Sequence, residues 1–380
     1  MMGDTMTGQM SKAYDHPASL PIPARIRLAR ELRGLTQRQV VAGTGNALSA
    51  PALSQIESGR LRPSEAAVVN LASALDVPPE FFSAQWPVDS EPVTYFRDLR
   101  STSIRERRRA RAQAVLLGEF VTALEQHVRI PEVDVPERPV GSDATAAEID
   151  DIAMLVRRAW NLGDGPIGHV VRELERHGIA VARLTLGTVK VDAFSTRTGV
   201  RPLVLLTDDK SDNYVRSRFD ASHELGHLVM HEAAEPGTKQ VESQAQNFAA
   251  SFLLPEASAL EELPSRLDAT GWSRLAEMKR VWGLSMSALL YRARTLRVLS
   301  PEAYQAAMRY MSARGWRKQE PGDREMGAPE APMLVERSMR RAEIEADVSV
   351  EDLVRTAHLP IDDMHDLLAA AVDDRPIVEL

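Results

Sequence analysis

His223, Glu224 and His227 stand in the order His-Glu-Leu-Gly-His inside the segment RFDASHELGHLVMH. On a helix, positions four apart lie on one face, so both imidazoles can direct a nitrogen at a single divalent ion. Glu224 directly follows the first histidine. A carboxylate there can take a proton from an attacking water and return it to a leaving amine, the general-base part of metal-assisted peptide hydrolysis. Two histidines do not fill such a site, and the chain has no cysteine, so the third ligand must be His, Asp or Glu. Glu242, fifteen residues after His227 in VESQAQNFAASFLLP, meets that requirement. Ala245, Phe248 and Ala249 follow it at helical spacing, so its helix can pack closely while presenting the carboxylate. Three protein ligands leave a fourth position for water, the open arrangement of a catalytic site. The competing reading is a surface helix with two solvated histidines. His231 is open to three readings: an alternative ligand, a hydrogen-bond partner behind a ligand, or a helix-end residue, the last two being preferred. Asp220 reads as the N-cap of a helix starting near 221 or as a carboxylate orienting a ligand ring.

The elements that must position these residues are mostly helical. At 380 residues, 44% hydrophobic and 26% charged, the chain is too long for one small core and has an ordinary globular composition. Wholly disordered, collagen-like and disulfide-scaffold classes are excluded. No apolar run approaches the roughly eighteen residues of a membrane span, and the first twenty residues lack the apolar core of a signal peptide. A cytoplasmic protein with no membrane partner is expected. Residues 1–20 read as a disordered arm and 21–85 as a small helical domain closed by Pro78 and Pro79. Residues 86–110 read as a linker, leading into a long helix with Leu116, Leu117, Phe120, Val121, Leu124 and Val128 on one face. The stretch IPEVDVPERPVGSDAT is a second break, followed by helical patterns at 146–161 and 165–177. Strand signals are confined to Ile179–Leu184, Val189–Phe194 and Pro202–Thr207, which predicts a small antiparallel meander. Helical pattern resumes at Asp220 and runs to about Arg314. Residues 318–334 read as a polar linker and 335–380 as a helical tail with Ser349 as a cap. The expected fold class is mainly α with a small antiparallel sheet (α+β), an all-α domain preceding a larger domain at 111–317.

The net charge of −8 argues against indiscriminate coating of nucleic acid. Residues 21–85 nevertheless carry seven arginines against five acids. Thr36 is placed as an N-cap with Gln39 as its reciprocal partner, and Ser49 precedes APALSQIE, where Pro51 is tolerated in the first turn. Two short helices so arranged match a helix-turn-helix, whose second helix enters the major groove of double-stranded DNA. Ser49, Ala52, Ser54 and Gln55 would then face base edges, and helix-end arginines such as Arg38, Arg60 and Arg62 would contact phosphates. Arg105, Arg107, Arg108, Arg109 and Arg111 read as a solvated helix face or as additional phosphate contacts.

The strings LTQRQV, LSQIESGRLRPS and LASALDVPPEFF resemble the XRE/lambda-repressor-like helix-turn-helix family over about sixty residues. The resemblance implies that Gln37 lies near a phosphate, that Glu57 with Arg60 supports the end of the recognition helix, and that a homodimer binds an operator of two half-sites. The segment AGTGNAL between the helices is longer than the family's common pattern. VDAFS, RPLVLL, RFDASHELGHLVMH and ESQAQNFAASFLLP are similar to the ImmA/IrrE-type metallopeptidase family, a zincin-like domain often preceded by an XRE-like unit. This second resemblance implies zinc as the metal, His223, His227 and Glu242 as its ligands and Glu224 as the general base. Ser222 stands where such proteins often have Ala, and Gln244 where a second carboxylate is frequent.

Together these readings predict a DNA-binding regulator with a zinc endopeptidase domain that cleaves a repressor, a partner or itself, with 85–104 as a candidate cleavage region. The alternative is a non-proteolytic regulator whose zinc domain senses a ligand or metal. A housekeeping protease is disfavoured, because it gains nothing from the first eighty or so residues.

Overall fold

A computed structural model describes residues 23–84, 94–96, 103–184, 193–198, 201–207, 213–231 and 237–371. The chain divides into two compact units, Met1–Arg30 with Leu35–Trp86 and Glu31–Gly34 with Pro87–Leu380.

The first unit is built from α1 (Pro23–Leu32), α2 (Gln37–Gly43), α3 (Ala50–Glu57) and α4 (Glu65–Leu75), followed by a 3-10 turn at Pro79–Ser83. Thr36 Oγ1 accepts from the Gln39 amide while Gln39 Oε1 accepts from the Thr36 amide at 2.8 Å, the reciprocal cap expected at the start of α2. Ser49 caps α3 by accepting from the Ala52 amide, with Pro51 in the first turn. Helices this short are marginal alone. Ile26, Leu53, Ile56, Leu71, Phe81 and Phe82 bury completely between them, each contributing on the order of 2 kcal/mol.

The second unit opens with β1 (Thr94–Phe96) and continues through α5 (Ile104–Glu125), α6 (Ala146–Ala159), α7 (Val170–Arg176), β2 (Ala180–Leu184), β3 (Ala193–Thr198) and β4 (Arg201–Thr207). It ends in α8 (Tyr214–Met230), α9 (Lys239–Leu253), α10 (Glu256–Glu262), α11 (Ala269–Trp282), α12 (Met286–Thr295), α13 (Pro301–Ala313), α14 (Leu334–Ala346), α15 (Val350–Thr356) and α16 (Ile361–Ala371). The α+β class holds, but the sheet is mixed rather than an antiparallel meander. Its order is β1-β3-β4-β2, with β3 antiparallel to both β1 and β4 and β2 parallel to β4. Every residue of β2 is buried, which fits a parallel strand covered on both faces rather than a half-solvated hairpin arm. The strand expected at 189–194 falls partly outside the described residues, and β3 begins at Ala193. The region 85–104 is described only at 94–96, where the backbone of Tyr95 pairs with Ser195, and at 103–104, where α5 begins.

Three further readings change. Helix α8 starts at Tyr214 with Asn213 as its cap, so Asp220 lies inside the helix and does not begin it. Two residues earlier on the same helix Arg218 is 2% exposed and pairs with the buried Glu330. Residues 318–334 are not a solvated linker. Glu320 accepts from the Met286 and Ser287 amides at the start of α12 and from Lys279 Nζ at 3.0 Å, while Glu330 accepts from the Val171 amide near the start of α7. The helical tail also belongs to the body of the unit: α14 and α16 pack on β2, and Leu353, Val354, Leu359, Met364 and Leu367 are buried.

Candidate metal centre and helix-turn-helix surface

Helices α8 and α9 meet where α8 carries Gly226, the fourth residue of His-Glu-Leu-Gly-His. A Cβ at that position would stand 3.0 Å from the Phe248 ring of α9. Glycine weakens a helix by about 1 kcal/mol relative to alanine, and here it permits the close approach that lays Glu242 across the two histidines.

His223 Nε2 and His227 Nε2 lie 3.1 Å apart, and the Glu242 carboxylate is 3.3 Å from the first and 3.7 Å from the second. One ligand atom from each of the three lies within 4.8 Å of the others. Ligands of one tetrahedral ion with bonds of about 2.0–2.1 Å stand about 3.3 Å from one another, so the separations and the nitrogen-and-oxygen donor set both fit a divalent ion. The histidines are buried and Glu242 is half-buried.

Glu224 is fully buried beside this set, and its Oε2 accepts a hydrogen bond of 2.7 Å from Ser195 Oγ on β3. Sequence reasoning did not single out Ser195, although it closes the VDAFS string. His231 ends α8 as its C-cap, with Nδ1 3.0 Å from His227 Nδ1 and Nε2 3.0 Å from Gln244 Oε1. Of its three readings, the geometry fits a hydrogen-bond partner behind the His227 ring and a helix-end residue. Burial pushes the His231 pKa below the ordinary histidine value, against a smaller opposing effect from Gln244. Gln244 Nε2 in turn donates to the Gly141 carbonyl at 2.8 Å. Asp220 is buried, with its carboxylate 3.7 Å from Arg216.

The C-terminal carbonyls of α8 are satisfied by the segment read as a break. The Val229 carbonyl accepts from the Arg138 amide at 2.8 Å and the Met230 carbonyl from the Val140 amide at 3.2 Å, while Arg197 of β3 donates to the Leu228 carbonyl. The helix bearing the histidines is therefore pinned at its working end.

In the first unit Arg38, Ser49, Gln55, Arg60 and Arg62 are exposed, while Gln37, Ala52 and Ser54 are half-buried. Gln37 Nε2 donates to Glu57 at 2.8 Å. Glu57 is buried, and Arg30 holds its two oxygens at 2.6 and 2.8 Å. Glu57 therefore ties α3 to α1 and α2 instead of pairing with Arg60, whose Nε donates to Ser58 Oγ in the exposed turn. In the second unit, Arg105, Arg108 and Arg109 are exposed at the start of α5.

Residues 174–294 match the family model described as IrrE N-terminal-like domain, a peptidase family, and residues 24–81 match a helix-turn-helix domain model. No curated protein matches the chain. Among the described residues no helix is long and apolar enough to cross a membrane. The metal-donor set lies inside the first matched span and the exposed helix-turn-helix residues inside the second. The chain thus joins an XRE-like helix-turn-helix DNA-binding domain to an ImmA/IrrE-like metallopeptidase-type domain.

Proposed function

We propose that the chain is a cytoplasmic, DNA-bound transcriptional regulator whose second unit is a zinc endopeptidase that cuts a repressor, either a partner or the chain itself. The observation that carries this reading is the convergence of His223, His227 and Glu242 within 4.8 Å, with Glu224 next to the first histidine. In this reading those three residues hold zinc. When bound, the ion supplies Lewis-acid chemistry to a peptide carbonyl and lowers the pKa of water. Glu224 takes the proton of the attacking water and delivers it to the amine nitrogen as the C–N bond breaks, while the hydroxyl joins the acyl carbon. Ser195 keeps the Glu224 carboxylate in one orientation.

In the first unit Ser49, Ala52, Ser54 and Gln55 read base edges, and Gln37, Arg38, Arg60 and Arg62 anchor phosphates, with a homodimer spanning two half-sites of an operator. A cut within 85–104 would release the DNA-binding unit from the rest. A zinc-held sensor without catalysis has no use for a buried carboxylate oriented beside the donor set, and this favours hydrolysis.

The test compares new protein N-termini in the native host, by mass spectrometry, between wild type and Glu224→Gln under inducing conditions. A repressor fragment, or a fragment of this chain, found only in wild type supports the protease. Identical N-termini with an unchanged transcriptional response favour the sensor instead.

A further inference from the structure

We propose that His231 and Gln244 are positioning residues that fix the ring tautomer of His227, so that the nitrogen facing the donor set carries a lone pair. The inference rests on reading His227 as a metal ligand.

The chain of contacts starts at a group with no choice. The Gly141 carbonyl can only accept, so Gln244 must turn its amide nitrogen toward it and its oxygen toward His231. That oxygen also only accepts, so the His231 proton sits on Nε2 and its Nδ1 holds a lone pair. His227 Nδ1, 3.0 Å from His231 Nδ1, must then be the N–H. A neutral imidazole has one ring proton, which leaves His227 Nε2 as the acceptor atom. Nε2 is the atom that faces His223 and Glu242.

His231 and Gln244 are 1% and 3% exposed, so water does not readily replace either partner. Gly141 follows Val140, whose amide is bonded to the end of α8, so the anchor is tied to the same helix it serves. Ligand histidines commonly donate their outer N–H to a carboxylate or a carbonyl. Here a second imidazole and an amide relay that duty to a backbone oxygen.

The experiment uses the full chain labelled with 15N-histidine. Long-range 15N–1H correlations in the metal-free protein are expected to show His227 protonated on Nδ1 and His231 on Nε2. Gln244→Met removes the acceptor, so both tautomers of each ring become populated, and zinc affinity measured by chelator competition falls roughly ten- to a hundred-fold. His227 protonated on Nε2 in the wild type, or wild-type zinc affinity in Gln244→Met, overturns the proposal. If Gln244→Met fails to fold, the tautomers of the wild type decide alone. Neither readout involves cleavage: a chain that binds zinc with this relay intact but cuts nothing loses the protease reading and keeps the relay.

Discussion

Ser195 Oγ donates to Glu224 Oε2 at 2.7 Å, joining strand β3 to the helix of the donor histidines with both side chains fully buried. A carboxylate that must move a proton works best when held in one orientation. Ser195→Ala is expected to leave zinc content and affinity unchanged while lowering the turnover of peptide cleavage about ten- to a hundred-fold. Metal analysis alongside single-turnover kinetics checks both halves.

Metal removal should be felt as a loss of stability. An ion bound at a thousand times its dissociation constant stabilises the folded state by about 4 kcal/mol. Chelation is therefore expected to lower the melting temperature of the wild type. His223→Ala, His227→Ala and Glu242→Ala should each melt at the same temperature with and without added zinc.

Gly226 sits where a Cβ would stand 3.0 Å from Phe248. Gly226→Val would force α8 and α9 apart, with an expected cost of about 1–3 kcal/mol. Because the same packing brings Glu242 to the histidines, zinc affinity should fall with it. Calorimetry and chelator competition on one variant test the coupling.

Glu175 is buried and accepts from the Met333 and Leu334 amides at 2.9 and 2.8 Å, at the start of α14. Burial raises its pKa from 4.5 to about 7, outweighing those two hydrogen bonds. Between these values the folded state binds the extra proton. The stability associated with this group is therefore complete below 4.5 and is lost as pH rises through about 7. Wild type should lose stability relative to Glu175→Gln between pH 5 and pH 8, by on the order of 2–3 kcal/mol. Denaturant titrations at several pH values measure it.

On DNA, the exposed arginines and the α3 side chains should behave differently. Arg62→Ala is expected to weaken binding about equally for all sequences and to reduce the salt slope by about one. Gln55→Ala should instead relax preference at one base position, by about 1–3 kcal/mol. Binding isotherms on operator and scrambled duplexes at several salt concentrations separate the two.

The donor residues were legible because their geometry is local to one helix: four-residue spacing puts His223 and His227 on one face whatever surrounds them. The caps Thr36, Ser49 and Ser349 were legible for the same reason. What escaped depends on partners far along the chain. Glu320 and Glu330 look like linker acids until Lys279, Arg218 and the amides at the starts of two helices surround them. The parallel pairing of β2 with β4 is set by a crossover that no local pattern reveals. Ser195 carries no signature of its own, and Gln244 stood out only as a departure from a resemblance; the role of each comes from what it touches.

Hydrolysis by the donor set with Glu224 as base is tested most directly on the purified full chain. Zinc-loaded wild type and Glu224→Gln are each incubated with peptides prepared from the host proteome, and the new N-termini are read by mass spectrometry. Wild type is expected to make a restricted set of cuts that disappears on chelation and returns with zinc, and Glu224→Gln to make none, although that variant still binds one zinc. Equal cutting by the two proteins, or no cutting by zinc-loaded wild type, would contradict it.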